Sequence, residues 1–251
     1  MSNESSRSKE GSGFAFLGMC ILVALVASSA IISYGALRIA KFSREVITVT
    51  GAAIQEIKSN YIVWGCDLSS RSMDLQSAYA SLQTNREKVK AYLLEKGVAE
   101  AEISFNPVYT YVLYRRGPEQ QETNEVEGYR LNQTVEVRSA EVDKIAQMAK
   151  QSSELINQGI EFQAREPQYF YTKLEDLKVE MLGKATENAK ERATRMAQAT
   201  GDQIGAIRSA RMGVFQITPL YSTEVSDYGM NDTSSLEKKI TAVVNVTFEV
   251  K

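Results

Sequence analysis

An α+β domain with a mainly antiparallel sheet packed by helices, preceded by one membrane-spanning helix, is the fold this sequence predicts. Three observations predict it. Residues Phe14 to Tyr34 carry no charged side chain. Beyond Val46, β-branched or alternating segments gather toward the start and the end of the chain. Between them lie three segments with apolar residues at three- and four-residue steps, the period of a helix. Strands that do not alternate regularly with helices favour antiparallel pairing with helices on one face.

Residues 1–13 are rich in Ser, Glu, Lys and Gly and read as a disordered tail. Residues 14–35 read as a transmembrane anchor, with residues 14–34 in contact with the bilayer. This uncharged run of 21 residues spans about 30 Å as a helix, the thickness of a bilayer core. A secretory signal is the competing reading, with Ala27, Ser28, Ser29 and Ala30 supplying small residues at a cleavage site. The run continues through Ile31 and Ile32 and exceeds a usual signal core, which favours a retained anchor. A buried core helix would carry a polar face, and this run has none. Met19 before Cys20, and the apolar residues after it, argue against a lipidated cysteine. Arg7 and Lys9 precede the run and Arg38, Lys41 and Arg44 follow it, so charge does not choose an orientation.

Val46 to Thr50 and Tyr61 to Leu68 read as strands, with Gly51 as punctuation, Ile54 to Lys58 extended and Ser59-Asn60 as a bend. A helix follows over about Ser72 to Lys96, capped by Ser72 or Asp74 and closed by Gly97. Its apolar stripe is Leu75, Ala78, Leu82, Val89 and Tyr92, and Asn85 falls on that stripe. Ile103 to Tyr114 reads as a strand with an edge or bulge at Pro107. A polar connection, Arg115 to Glu127, joins it to a returning strand, Gly128 to Arg138, with Leu131, Gln133, Val135 and Val137 on one face. A second helix covers about Ala140 to Asn157, and Ile160 to Arg165 is a short strand. The third helix, about Thr172 to Thr200, has an inner side of Leu174, Leu177, Met181 and then Ala185, Ala189, Ala193 and Ala197. Its outer side carries Glu180–Lys184 and Glu191–Arg195, favourable pairs one turn apart. Ile204 to Ile217 reads as a strand, Pro219 to Leu236 as a polar loop and Ile240 to Val250 as a closing alternating strand. No linker interrupts residues 46–251, which read as one domain.

The chain has no histidine among its 251 residues, which removes the commonest general acid–base group and the commonest transition-metal ligand. A net charge of −2 with dispersed basic residues excludes a general nucleic-acid surface. Cys20 lies in the apolar run and Cys66 in a strand, so no disulfide between them is expected, and Cys66 reads as a buried thiol rather than a nucleophile. No phosphate-binding Gly loop and no zinc-ligand cluster is present, so no cofactor and no metal are expected. The acidic residues are spread over helix surfaces and the Glu119 to Glu127 stretch, where they read as solvated charge. The sequons at Asn132, Asn231 and Asn245 fit a common pattern and carry no argument.

The order of elements and several motifs resemble the SIMPL domain family, domain of unknown function 541. The resemblance is carried by Ile47-Thr48-Val49-Thr50-Gly51, by a helix ending at Gly97 followed by Ile103-Ser104, and by Gly128-Tyr129-Arg130 leading to Val135–Arg138. It continues through the Ala-rich helix to Gly201, Ile204 and Gly205, and through the last strand, Val243 to Val250. It covers about Val46 to Lys251. Many members have Pro-Asp where this chain has Ser59-Asn60, and both pairs suit a bend. The resemblance implies a bacterial protein exported to the periplasm or cell envelope, with oligomeric rings in some members and links to stress tolerance in others. It implies no catalytic residues.

Tyr109, Tyr111, Tyr114 and Tyr129, with Arg115, Arg116 and Arg130, make an aromatic and Arg-rich hairpin of the kind enriched at interfaces, although ordinary cross-strand pairing would also place them there. The loop Tyr221 to Met230 is a second contact surface or a disordered tip. The sequence points to a non-enzymatic, membrane-anchored module that forms homo-oligomers, and the family resemblance implies its placement on the periplasmic side of the inner membrane. The alternative is a monomeric periplasmic binding module for a small apolar ligand or a client protein, which needs an apolar pocket between sheet and helices.

Overall fold

A computed structural model of the chain describes residues 7–118 and 121–251. The elements in order are α1 (Arg7–Arg44), β1 (Val46–Lys58), β2 (Tyr61–Ser72), α2 (Leu75–Glu95), β3 (Ile103–Phe105), β4 (Tyr109–Arg116), β5 (Glu122–Ser139), α3 (Val142–Gln151), β6 (Glu161–Ala164), β7 (Gln168–Phe170), α4 (Leu174–Thr200), β8 (Ile204–Met212), β9 (Gln216–Pro219), β10 (Met230–Asn231) and β11 (Glu237–Val250). This is an α+β fold with four helices. It divides into two compact units, residues 52–185 with 212–243, and residues 1–51 with 186–211 and 244–251.

In the unit of residues 52–185 and 212–243, six strands form a sheet in the order β3-β5-β2-β6, with β4 also on β5 and β7 also on β2. β2 and β5 are antiparallel from Ile62 opposite Ser139 to Ser72 opposite Tyr129. The alternation expected from sequence is present: Ile62, Trp64, Cys66 and Leu68 of β2 and Leu131, Val135 and Val137 of β5 are buried, in one core with Ala78, Leu82 and Val89 of α2 and Val142 and Ile145 of α3. Each such aliphatic side chain contributes about 1.5–3 kcal/mol by leaving water. Pro107 breaks the expected strand in two, since it cannot donate to a ladder. β3 pairs with Val135–Val137 and β4 with the more N-terminal part of β5. The gap is closed by Asn106 N–H donating to the Thr134 carbonyl (2.9 Å) and by the buried Gln133 amide donating to the Asn106 carbonyl (2.8 Å).

α2 starts after Asp74, whose carboxylate accepts from Ser77 N–H at 2.8 Å, and ends before Gly97 at φ 81°, a left-handed position that favours glycine. Asn85, expected on the buried stripe, is half-buried, and the inner face is completed by Leu93 instead. The second expected helix is α only to Gln151. A tighter 3₁₀ stretch, Ser152–Gln158, continues it to Gly159 at φ 74°. β11 pairs antiparallel with β9, and β10 pairs parallel with β9. The expected single sheet is thus two, because alternation specifies which side of a strand is buried but not which strand lies beside it.

In the other unit, β1, the end of β11 and β8 pair side by side. Thr48 and Thr247 hydroxyls lie 2.9 Å apart, and Thr50 donates to Asn245 at 2.7 Å. Ala189, Ala193 and Ala197 of α4 are buried, as are Val49, Val244, Val246 and Phe248. Arg192 donates to the Thr50 carbonyl at 3.0 Å, which ties α4 to β1 through a side chain and not through packing alone. Arg208 pairs with Glu249. The two helix-surface pairs expected from sequence are formed, Lys184–Glu180 and Arg195–Glu191, each at 2.6 Å. α1 includes a 19-residue stretch, Gly18–Ala36, long and apolar enough to cross a membrane, with none of it buried against the rest of the protein. The helix begins at Arg7, inside the tail expected to be disordered, and residues 1–6 of that tail lie outside the described residues.

Candidate functional site

The face of the six-stranded sheet opposite the core is partly exposed. It carries Tyr61, Val63, Asp67 and Ser69 from β2 and Arg130, Asn132, Thr134 and Glu136 from β5. The register places side chains in rows across this face. Tyr111 stands opposite Arg130, and Arg130 stands opposite Arg71. Tyr109 stands opposite Asn132, which stands opposite Ser69 and accepts its hydroxyl at 3.0 Å. Arg130 reaches Glu161 at 3.4 Å. Tyr109 and Tyr111 are two residues apart, share one face and are 60% and 52% exposed.

The seven hairpin residues singled out by sequence therefore divide. Tyr109, Tyr111 and Arg130 come together on the open face. Tyr129 stands opposite Val112 and packs against the core on the other side. Tyr114, Arg115 and Arg116 lie past a bulge between Leu113 and Tyr114. They line an open groove of about 860 Å³ with Arg71, Met73 and Glu127. Arg115 is paired with Glu125 at 2.9 Å. The polar connection expected over Arg115–Glu127 is much shorter, because β5 starts at Glu122. In the other candidate surface, Tyr221 and Tyr228 are 91% and 96% exposed.

Sequence reasoning missed a hydrogen-bonded polar cluster on the open face. Asp67 accepts from Arg165 at 2.8 and 2.7 Å and from the Thr134 hydroxyl at 2.6 Å. Burial works against the Asp67 carboxylate, but these hydrogen bonds and the Arg165 charge outweigh it and hold the carboxyl below its ordinary range. The signal was present in the alternation of β2, which puts Asp67 in line with Tyr61 and Val63 and away from Trp64. Because folding lowers this pKa, the pair stabilises the fold above about pH 4 and loses that contribution as pH falls through the lower folded value. Arg165→Gln should raise the Asp67 pKa in a carboxyl NMR titration and cost about 0.5 kcal/mol at neutral pH, the range of a solvent-screened pair. Beside Asp67, burial first and the aspartate charge second push the Cys66 thiol up to about 12, so it stays protonated at neutral pH. Among the described residues there is no group of three His, Cys, Asp or Glu side chains placed to hold a metal ion.

A family profile described as "SIMPL: Protein of unknown function (DUF541)" matches residues 47–248. The chain belongs to the SIMPL family. The match takes in all of the strands and three of the helices, leaving α1 ahead of the SIMPL domain. A comparison with curated proteins finds no match. Among solved structures, the SIMPL chain is similar to an amidase of the hydantoinase/carbamoylase family from Burkholderia phymatum. That likeness has 14% identity and a TM-score of 0.25, and covers 55% of this chain and 35% of the amidase chain, so it spans about a third of that protein and carries no argument about fold or activity.

Proposed function

We propose that this SIMPL protein is a non-enzymatic envelope module that α1 anchors in the inner membrane and that associates with itself on the periplasmic side. The observation that carries the reading is the pair Tyr109 and Tyr111, exposed side by side on the open face of the hairpin next to Arg130. Tyr and Arg are the residue types that dominate interface energetics. Placement outside the cytoplasm follows the exported character that the family resemblance implies, and the same resemblance extends the reading to a role under envelope stress. The two free cysteines fit either a reducing compartment or an envelope protein, with Cys66 fully buried and Cys20 within the apolar helix. Action by contact fits the chemistry of the open face, where Asp67 is engaged by Arg165 and Thr134 and no histidine is present.

The test is sedimentation of the full-length protein in detergent over a range of concentrations. The wild type sediments as an assembly. Tyr109→Ala with Tyr111→Ala shifts dissociation to at least about tenfold higher concentration, the loss of one interface anchor, with an unchanged circular dichroism spectrum. A wild type that sediments as a single chain at every concentration ends this reading.

A further inference from the structure

We propose that the groove beside the hairpin binds an extended acidic peptide segment of another protein, added as a strand along the free edge of β5. β2 accompanies β5 only as far as Ser72 opposite Tyr129. There Asp74 caps α2 and the chain leaves the sheet. The Ser72 and Met73 backbone still lies against Gly128; beyond it β5 runs on to Glu122, and over Glu127 to Glu122 its strand partner among the described residues is β4 alone. A two-stranded ribbon is marginal in water, and a third strand completes it. The groove of about 860 Å³ opens at the point where β2 departs, between Arg71–Met73 and the hairpin.

Its charge selects the occupant. Arg71, Arg115 and Arg116 line it against one acid, Glu127. Arg115 is engaged by Glu125, and Arg116 stands opposite Glu122. Arg71 is different: its cross-strand neighbour Arg130 is a like charge that is itself paired with Glu161, whereas among the described residues Arg71 has no ion pair. A strand added to β5 would present every second side chain to this groove, with its carboxylates reaching Arg71, while the intervening residues face the other side of the ribbon. The chain's own acidic stretch, Glu122–Glu127, is already held by β4 and so does not supply the occupant. This inference goes beyond self-association and does not depend on it.

The test is fluorescence anisotropy of a labelled short peptide of alternating glutamate and threonine, titrated with the full-length protein in detergent. The peptide binds, Arg71→Ala weakens it at least about tenfold, the loss of one charge-assisted contact, and Arg71→Lys weakens it less. N-methylation of one alternating set of peptide amides abolishes binding, and methylation of the other set leaves it intact, because only every second amide of an added strand faces the sheet. No binding, equal binding by wild type and Arg71→Ala, or equal tolerance of both methylated sets overturns the proposal; in the last case, competition by inorganic polyphosphate would mark a simple anion surface. Thermal unfolding of Arg71→Ala verifies that it folds, and sedimentation reports separately on self-association.

Discussion

Replacing Val23 and Val26 together by lysine should transfer the protein from the membrane pellet to the aqueous wash. Both side chains lie within the Gly18–Ala36 stretch and both are exposed, at 63% and 60%. None of the described residues shelters them, and under the proposed anchorage the bilayer removes this apolar surface from water. A lysine at the centre of a spanning helix costs about 2.5–3.5 kcal/mol, and two cost about 6 kcal/mol. That outweighs several favourable aliphatic residues, each about −0.3 to −0.6 kcal/mol on the same scale. Alkaline extraction of membranes followed by immunoblotting measures the shift. Val23→Leu with Val26→Leu, which keeps the run apolar, should leave the protein in the pellet.

Truncating Trp64 to alanine should destabilise the domain by about 3–5 kcal/mol, the range for a large buried aromatic. Trp64 is 1% exposed, lies in the central strand β2 and has the Phe162 ring at 6.5 Å between centroids. It belongs to the core shared by β2, β5, α2 and α3, so its loss leaves a cavity among packed strand and helix side chains. Trp64→Phe should cost much less, because the ring survives and the indole N–H has no hydrogen-bond partner to lose. Chemical denaturation of the full-length protein in detergent, followed by far-UV circular dichroism, compares the two variants.

Much of this fold is legible because it is local. Asp74 caps one helix, and the left-handed glycines Gly97 and Gly201, at φ 81° and 85°, end two. The four-residue spacing of alanines in α4 marks its buried side, and the period-two alternation of β2, β5 and β11 marks theirs. What was not legible depends on pairing between distant residues. Tyr129 and Tyr111 are both hairpin tyrosines, yet register puts them on opposite faces. Arg71 lies beyond Leu68, where the strand was expected to end, yet β2 continues through it and β5 brings Arg130 opposite it. Lys238 is only 3% exposed, with its ammonium donating to the carbonyls of Tyr169 and Asp232. These two hydrogen bonds fasten the loop before β11, while burial pulls the Lys238 pKa down and the Asp232 charge partly restores it.

Cross-linking in alkali-washed membranes tests the account most directly, because it reports anchorage and association in one measurement. An amine-reactive cross-linker should convert the 27.9 kDa chain into a ladder of its multiples, all in the pellet. A chain that leaves with the wash, or that stays at 27.9 kDa at every cross-linker concentration, contradicts the account of an anchored, self-associating SIMPL module.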